Sequence, residues 1–473
     1  MNDRLLKTEG ERPGIYENRL WRAIRVCWLL TVAASFEDGA LLKIRLPGVG
    51  ALYGFRILLA VSAVLFAAWA IRCRVRLWRG ASALERWAYV FAAVMVVYGA
   101  LSLPRAVSFE ESFRTLFNLV MDMVFFCIML QAFRDGVLRR RMLALCAVCL
   151  ALVLLLGLYE VFFGGLVNDT YDRALIYPWL GRLYQSPVVF SQNTNDYASA
   201  AVFVYTVLAA CGVLWRCDTR KNVLLTAVLT ALLFFLNQAA GARLCFFAFC
   251  LFLSGMALSV LMRKKDRKRA LLCLLLVLIL IVLILIGQSP MLNKGLPAHG
   301  SLANEFFEYD QQTGERVLRQ YDSAGVRARL LLHCFDCIRE SRGLGVGLGN
   351  TARLAEERAV AIMRNGLPYG SIHCFIARVW ADYGVFAAVP MAAIGLLLLK
   401  AAVLASRRAL RSKDRDGLSE VVVFLFMLLT YPVLSTAPSD AQDIIPMWIF
   451  LAAAVWLADR MNASAQDETA QET

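Results

Sequence analysis

Residues 222–262 read NVLLTAVLTALLFFLNQAAGARLCFFAFCLFLSGMALSVLM, and this stretch decides the fold. Its one charged residue is Arg243, and the run is about twice as long as the roughly 20 apolar residues that one bilayer crossing needs. The small and polar residues from Asn237 to Ala242 therefore predict a tight turn between two transmembrane helices. A cation at a membrane surface is costly to place, so Arg243 is a candidate functional residue.

The whole chain has the composition of a polytopic membrane protein. Its 473 residues are 59% hydrophobic with a mean hydropathy of +0.59, whereas soluble domains are about half apolar. Long apolar runs recur along the sequence, and inside lipid such runs form helices because their backbone groups must bond within the segment. The sequence therefore predicts an all-α fold, and it lacks the short alternating segments of a membrane barrel.

Hydropathy predicts about twelve transmembrane helices. They lie near residues 26–43, 51–71, 86–104, 114–133, 142–165, 194–215, 222–240, 243–262, 270–288, 374–400, 419–436 and 444–458. The predicted organisation is a cytoplasmic N-terminal segment (1–25), nine spans (26–288), an extracytoplasmic loop (289–372), three spans (373–458) and a disordered cytoplasmic tail (459–473).

Basic residues on alternate connections predict the orientation. The clusters are Arg72 to Arg76, Arg139 to Arg141, Arg216 to Lys221, Arg263 to Arg269 and Arg407 to Arg415. All five lie on one side if both termini are cytoplasmic, which agrees with the excess of lysine and arginine in cytoplasmic loops. The net charge of +14 is thus explained by topology and does not indicate a nucleic-acid partner.

The thirteen cysteines lie mostly within apolar runs, where cysteine behaves as a small hydrophobic residue. Cys334 and Cys337 have the spacing of a metal or redox pair, but no second pair follows, so they only weakly indicate such a site. We therefore predict no metal and no cofactor.

The large outer loop is predicted to fold as a small helical cap. Leu331, Phe335 and Ile338 share one face of a helix over 326–338, and a second helix is predicted over 351–363. The glycine-rich turn between them, 343–349, lacks the lysine and hydroxyl residue of a phosphate-binding loop. It predicts a sharp bend, which glycine permits.

Polar side chains at the outer face could carry chemistry. His373 lies where the outer loop meets the tenth span, and it could be a base, a phosphate ligand or an interfacial anchor. Arg327 and Arg329 begin the loop helix, where they could bind phosphate oxygens or remain solvated. His333 lies in the middle of that helix and is predicted to be structural.

Charged residues also lie within the spans. Arg378 and Asp382 are four residues apart in the tenth span and are predicted to pair, which could orient a site or bridge helices. Asp122, Glu160 and Asp196 lie within or at the ends of spans, where acidic groups could relay protons in a transporter.

Four segments occur in an order that has a counterpart in a known family. They are Phe190 to Ala198 around Asn195; Gly241 to Arg243; Arg327 with Leu330, Leu331, Phe335, Ile338 and the turn Gly345 to Asn350; and His373 followed by Tyr383 and Gly384. Together with twelve spans and one large outer loop, they resemble the O-antigen ligase and polymerase superfamily. The chain departs from that pattern at Thr194, Ala242, Leu331 and Cys374.

The resemblance implies an inverting, metal-independent glycosyltransferase of cell-surface polysaccharide biosynthesis, acting at the outer face of the cytoplasmic membrane. Its implied partners are a polyprenyl-diphosphate-linked glycan donor, a glycan or lipid acceptor and membrane lipid. Arg243 and Arg327 would bind the diphosphate, and His373 would take the acceptor's proton or contact the diphosphate. Asn195, Arg329, Arg378 and Asp382 would support substrate binding. Polymerase and ligase both remain open, with a slight preference for a polymerase.

A transporter, for example a flippase of the same lipid-linked sugar, is the second hypothesis. Transporters commonly have repeated halves and broken helices near the midplane, and the sequence has no clearly repeated halves. Their polar groups should also lie deep in the membrane, whereas Arg243, Arg327 and His373 are predicted at one face. A structural scaffold is the third hypothesis, and the outer loop with its cations favours an enzyme over it.

Overall fold

The computed structural model describes residues 19–37, 43–46, 50–72, 80–164, 175–179, 182–191, 193–215, 219–263, 267–287, 307–309, 316–318, 323–362, 368–438 and 444–472. Within these ranges the protein is a bundle of α-helices with three short antiparallel hairpins in the connections. The helices are α1 (Arg19–Ala34), α2 (Gly54–Arg72), α3 (Ala83–Ser102), α4 (Phe109–Arg134), α5 (Gly136–Phe163), α6 (Thr194–Ala210), α7 (Arg220–Ala239), α8 (Arg243–Met262), α9 (Arg267–Gly287), α10 (Ser323–Glu340), α11 (Asn350–Glu357), α12 (Phe375–Tyr383), α13 (Val385–Arg411), α14 (Arg415–Leu434) and α15 (Ile445–Glu472). The hairpins pair β1 (Lys43–Leu46) with β2 (Gly50–Tyr53), β3 (Leu175–Trp179) with β4 (Arg182–Gln185), and β5 (Phe307–Tyr309) with β6 (Arg316–Leu318).

Nine helices in the described part of the chain are long and apolar enough to cross a membrane. They are α2, α3, α4, α5, α7, α8, α9, α13 and α14, and they correspond to nine of the twelve predicted spans. The other three predicted spans overlap α1, α6 and α15. Of these, α1 and α6 have 16 and 17 residues, fewer than the roughly 20 of a typical crossing.

The helix boundaries at the two ends of the chain differ from the predicted ones. Helix α1 begins at Arg19, inside the segment predicted to precede the first span. Arg25, which lies in this added part of the helix, is held against the bundle because its Nε donates to Asp135 at 2.8 Å. Helix α15 continues to Glu472 and so covers most of the tail predicted as disordered. That tail is rich in alanine, glutamine and glutamate, which are good helix formers.

The tenth predicted span, 374–400, is divided into two helices. Helix α12 ends at Tyr383, Gly384 has φ 61° and ψ −153°, and α13 begins at Val385. The break is caused by the glycine-rich turn of the outer loop, since the amide of Val385 donates to the carbonyl of Gly343 at 2.9 Å. A side chain at Gly384 would collide with this turn, because its Cβ would lie 2.3 Å from the carbonyl carbon of Leu344.

Helix α6 lies at the centre of the bundle, and most of its residues are buried. Ring contacts join Phe203 of α6 to Tyr431 of α14 and Phe450 of α15, and Tyr205 to Phe249 of α8. The hydroxyl of Tyr205 lies 2.6 Å from that of Thr230 in α7, which satisfies two polar groups inside the core. This helix therefore fixes the positions of its neighbours.

Helices α8 and α14 pack against each other along their length and run in opposite directions. The hydroxyls of Ser259 and Ser419 are 2.7 Å apart near the end of α8 and the start of α14. Further along, Gly255 lets Phe426 approach so closely that any added Cβ would overlap the ring. The start of α8 therefore lies beside the end of α14, which brings Arg243 to the level of the connection after Leu434.

The outer loop contributes a second small core. Leu330, Cys334 and Cys337 of α10, Ala355 of α11, and Ala377 and Ala381 of α12 are buried together. Helix α10 confirms the predicted helix over 326–338, and α11 is the second predicted helix, shortened at Glu357. We call α10, α11 and the turn between them the cap.

Candidate functional site

The turn between α7 and α8 presents Arg243 at the start of a helix. The amides of Ala240 and Gly241 donate to the carbonyls of Leu236 and Gln238 at 2.8 and 2.9 Å, and Gly241 has φ 64°. This is the tight turn that the sequence predicted. The side chain of Arg243 begins α8 and is exposed.

The N-terminus of α6 is bonded to the first turn of α8. Asn193 caps α6, because its side-chain oxygen accepts from the amide of Asp196 at 3.0 Å. The carbonyl of Asn195 accepts from the Ser199 hydroxyl at 2.7 Å and from the Cys245 thiol at 3.8 Å. Asn195 therefore lies beside α8, close to the turn that carries Arg243.

Arg327 of the cap reaches into the bundle at this level. Its Nη2 donates to the carbonyl of Ala437, after α14, at 3.3 Å. Burial lowers the pKa of its guanidinium, an effect opposed by interactions with Cys245 of α8 and Tyr369. Its Nε is buried and has no acceptor in the part of the chain that the structure describes. A buried donor of this kind is costly unless something binds it.

His373 binds the carbonyl of Pro438, the residue that follows Ala437 in the connection after α14. Its Nδ1 lies 2.8 Å from the carbonyl of Pro438, and its Nε2 lies 3.0 Å from the hydroxyl of Tyr369. A carbonyl can only accept, so Nδ1 carries a proton, and in the neutral ring Nε2 accepts from Tyr369. The rings of Tyr369 and His373 also stack, with centroids 5.9 Å apart.

These contacts bring two of the predicted residues, Arg327 and His373, to one short segment. Arg327 and His373 bind adjacent carbonyls, and the packing of α8 against α14 puts Arg243 at the same level. Asn195 lies close to the start of α8, because its carbonyl accepts from the thiol of Cys245, two residues after Arg243. The residues come from the start of α6, the start of α8, the cap, the segment before α12 and the connection after α14.

Arg378 and Asp382 pair as predicted, but their described contacts belong to the attachment of the cap. The Arg378 Nε and the Asp382 carboxylate are 3.4 Å apart, and both side chains are buried. Asp382 also accepts from the amide and hydroxyl of Thr351, at 3.1 and 2.6 Å, and from the amide of Gly349 at 3.3 Å. The pair thus fixes the start of α11.

The other candidates of the outer loop have separate positions. Arg329 is half-buried on α10, two residues beyond Arg327. His333 is buried in the cap, with its Nε2 3.1 Å from the carbonyl of Thr351 and 3.4 Å from the Cys337 sulfur, so the prediction of a structural histidine is confirmed. Cys334 and Cys337 are both buried in the core of the cap. His299 lies outside the described residues.

Sequence reasoning missed the residues that hold the site together. Tyr369, which bonds His373, lies four residues before it in a segment without a regular pattern. Ala437 and Pro438 contribute only their carbonyl groups, which no side-chain pattern reveals. The one available signal was Pro438 itself, which follows the predicted span 419–436. Proline commonly follows a helix end, so it marks the connection but not the contact with His373.

A cavity of about 450 Å³ lies elsewhere, between α2, α3 and α4. Apolar side chains such as Phe66, Val96 and Met123 line it, together with Tyr89 and Gln131. None of the seven predicted site residues is among the residues that line it. Cavity size therefore does not identify the polar site around Arg327 and His373.

Comparison with known proteins gives two matches. Residues 225–392 match the Wzy_C family, described as O-antigen ligase. This segment contains Arg243, Arg327, Arg329, His373, Arg378 and Asp382, whereas Asn195 precedes it. The chain is also 22% identical, over 448 residues, to the teichuronic acid biosynthesis protein TuaE of Bacillus subtilis (strain 168), an alignment that covers 92% of this chain and 84% of the relative. The predicted resemblance to the O-antigen ligase and polymerase superfamily is therefore confirmed, since residues 225–392 of this multi-pass membrane protein match the O-antigen ligase model and most of the chain aligns with TuaE.

Proposed function

We propose that this protein is an inverting, metal-independent glycosyltransferase that polymerises or ligates polyprenyl-diphosphate-linked glycans. It acts on the outer face of the cytoplasmic membrane and builds a cell-surface polysaccharide. The donor is the lipid-linked glycan, and the acceptor is a second glycan or a lipid.

One observation carries this proposal. Arg327 and His373, 46 positions apart in the sequence numbering, bind the adjacent carbonyls of Ala437 and Pro438. Helices α8 and α14 are antiparallel, so the start of α8, with Arg243, is at the same level of the bundle as this connection. A guanidinium and an imidazole bound to adjacent carbonyls, with a second arginine at the same level of the bundle, suit a reaction in which an anion departs and a hydroxyl loses its proton.

The chemistry follows from the charge that develops. When the bond from the sugar to the diphosphate breaks, its electron pair goes to a phosphate oxygen, and negative charge grows there. Guanidinium groups bind phosphate oxygens in a planar, forked geometry. In a site with little water, Arg243 and the partly buried Arg327 stabilise this charge more strongly than they would in solution. The buried Nε of Arg327 is a donor suited to a phosphate oxygen.

His373 is the group that accepts the proton of the acceptor hydroxyl. Histidine suits this role because its ordinary pKa lies near physiological pH. Asn195 supports the donor site from the start of α6. Arg329 supports it from α10, two residues after Arg327. Arg378 and Asp382 act on the substrate through the position of the cap.

We extend the proposal to the topology. All twelve predicted spans cross the membrane, both termini are cytoplasmic, and the loop 289–372 lies outside. The alternation of basic clusters along the sequence supports this orientation. In this arrangement the turn at Arg243, the cap and His373 all belong to the outer side.

The test is the production of surface polysaccharide in cells that carry Arg243→Ala, Arg327→Ala or His373→Ala. Arg339→Ala is the matched control, because Arg339 lies on the same helix as Arg327 and its side chain is 84% exposed. The amount of each variant in the membrane is measured in parallel. We expect the three site variants to lose long-chain glycan at normal protein level, with lipid-linked precursor accumulating outside, and the control to behave as wild type.

Normal polysaccharide in all three site variants would remove the proposed site. Precursor trapped on the inner face of the membrane would instead indicate a flippase, the alternative function. A polymerase and a ligase are then separated by the product that is lost, since only a polymerase variant leaves single repeat units attached to the acceptor.

A further inference from the structure

The hydroxyl of Tyr369 forms a hydrogen bond with Nε2 of His373, the nitrogen that would have to accept a proton if His373 acts as a base. The hydroxyl of Tyr369 is 3.0 Å from Nε2 of His373. The other nitrogen, Nδ1, is 2.8 Å from the carbonyl of Pro438 and must donate to it. In the neutral imidazole, the lone pair on Nε2 therefore points at Tyr369 and not at an incoming substrate.

We propose that Tyr369 is the catalytic residue that meets the acceptor hydroxyl, and that it relays the proton to His373. This inference rests on the proposed glycosyltransferase function. A phenol oxygen that donates its hydrogen to Nε2 keeps lone pairs that can accept a hydrogen bond from the acceptor. Tyr369 and His373 are each half-buried, so the pair is accessible from outside the protein.

The acceptor oxygen forms a bond to the anomeric carbon while the bond from that carbon to the diphosphate oxygen breaks, and the electron pair leaves with the diphosphate. The acceptor proton moves to the oxygen of Tyr369, and the phenolic proton of Tyr369 moves to Nε2 of His373. The resulting imidazolium keeps its Nδ1 hydrogen bond to Pro438 and later loses the Nε2 proton to water.

The surroundings of Tyr369 favour the transfer. Arg327 binds the carbonyl of Ala437, next to the Pro438 carbonyl that holds His373, so a cation is bound to the same segment. The ring is fixed by stacking on His373, and the amide of Tyr369 donates to the carbonyl of Ala361 at 2.9 Å. The hydroxyl of Tyr369 is therefore held on Nε2 of His373, the proton acceptor.

Tyr369→Phe in the full-length protein tests the relay, because it keeps the stacked ring and removes only the hydroxyl. The assay measures release of polyprenyl diphosphate in membranes of a strain deleted for the gene, which supply the lipid-linked glycan and the acceptor. General acid–base catalysis contributes about 10²- to 10⁴-fold, so we expect kcat to fall by about that factor with little change in the KM for the donor. Tyr159→Phe is the control, since Tyr159 is an exposed residue of α5 that contacts Phe163.

A double variant separates a relay from a structural hydroxyl. Residues that act as one unit give non-additive losses, so Tyr369→Phe combined with His373→Gln should cost no more than either change alone. Losses that multiply would overturn the relay. If Tyr369→Phe lowers the melting temperature, O-methyltyrosine at position 369 replaces it, because this side chain keeps the ring and oxygen but has no proton to pass.

The outcomes for this inference and for the proposed function are distinct. Wild-type kcat in Tyr369→Phe, together with a loss in His373→Gln, would overturn the relay and leave His373 as a direct base. Wild-type kcat in both variants would also remove the proposed role of His373. A loss in both, without further loss in the double variant, supports the relay.

Discussion

Arg327 and His373 bind consecutive carbonyl oxygens, those of Ala437 and Pro438, at 3.3 and 2.8 Å. The two residues belong to different segments, α10 and the stretch before α12, and the connection after α14 sets the distance between them. Ser435, Ala437 and Pro438 of this connection are buried, and the connection is joined to α12 because the amide of Phe375 donates to the carbonyl of Ser435 at 3.4 Å. A cation and a base are thus positioned by the backbone of a third element.

Arg327→Lys is expected to reduce glycan transfer although it keeps the positive charge. Lysine offers a single ammonium group, which cannot bind Ala437 and a phosphate oxygen in the planar geometry of a guanidinium. Loss of one donor to developing charge typically costs about 10²- to 10³-fold in kcat. The measurement is the rate of polyprenyl diphosphate release, with Arg339→Lys on the exposed face of α10 as the control. Full activity of Arg327→Lys would mean that only the charge at this position matters.

Local patterns predicted the parts of the site that depend on neighbours in sequence. The turn before Arg243, the helix that carries Arg327 and the pairing of Arg378 with Asp382 all follow from residues within a few positions of one another. The break at Gly384 was not predictable in this way, because Gly343 and Leu344 cause it by approaching from about 40 positions earlier in the numbering. The same holds for His373, whose carbonyl partner lies 65 positions away. Contacts of this kind depend on how the helices pack, and hydropathy does not contain that information.

Asp382→Ala is expected to destabilise the protein by about 3–5 kcal/mol, because it removes one member of a buried ion pair with Arg378. It also removes the acceptor of two amides and the Thr351 hydroxyl at the start of α11. The measurement is the midpoint of thermal unfolding in detergent. Asp336→Ala is the control, since Asp336 forms an exposed pair with Arg339 at 3.9 Å, and such pairs contribute about 0–1 kcal/mol.

A double-mutant cycle with Thr351→Val then measures how strongly the carboxylate and the hydroxyl are coupled. Residues in one hydrogen-bond network typically show coupling of about 0.5–3 kcal/mol. Additive effects of Asp382→Ala and Thr351→Val would contradict the assignment of Asp382 as the anchor of α11.

The cap is expected to lose stability in mildly acidic solution because of His333. Burial lowers the pKa of His333 below its ordinary value of 6.5, an effect larger than the opposing hydrogen bond to Thr351. The unfolded chain therefore binds a proton that the folded cap excludes, and stability falls as the pH drops through 6.5 towards the lower pKa of the folded state. Unfolding midpoints at a series of pH values test this. His333→Gln should flatten the pH dependence between neutral and acidic solution, and an unchanged slope would assign it to other groups.

Gly345→Ala is expected to be strongly destabilising, whereas Gly395→Ala is expected to be harmless or stabilising. Gly345 has φ +86°, and its Cβ would lie 2.6 Å from both the carbonyl oxygen of Asp382 and the amide nitrogen of Gly384. The left-handed conformation alone costs an alanine about 1–2 kcal/mol, and the overlap with backbone atoms adds to it because neither helix end can move freely. Gly395 lies within α13 with nothing within 4 Å of the added atom, so alanine there gains about 0.5–1 kcal/mol of helix preference. Unfolding midpoints of the two variants, compared at equal membrane expression, distinguish these effects. Equal midpoints would show that the glycine-rich turn does not press against the break between α12 and α13, and the account of how the cap is held to the membrane helices would then fail.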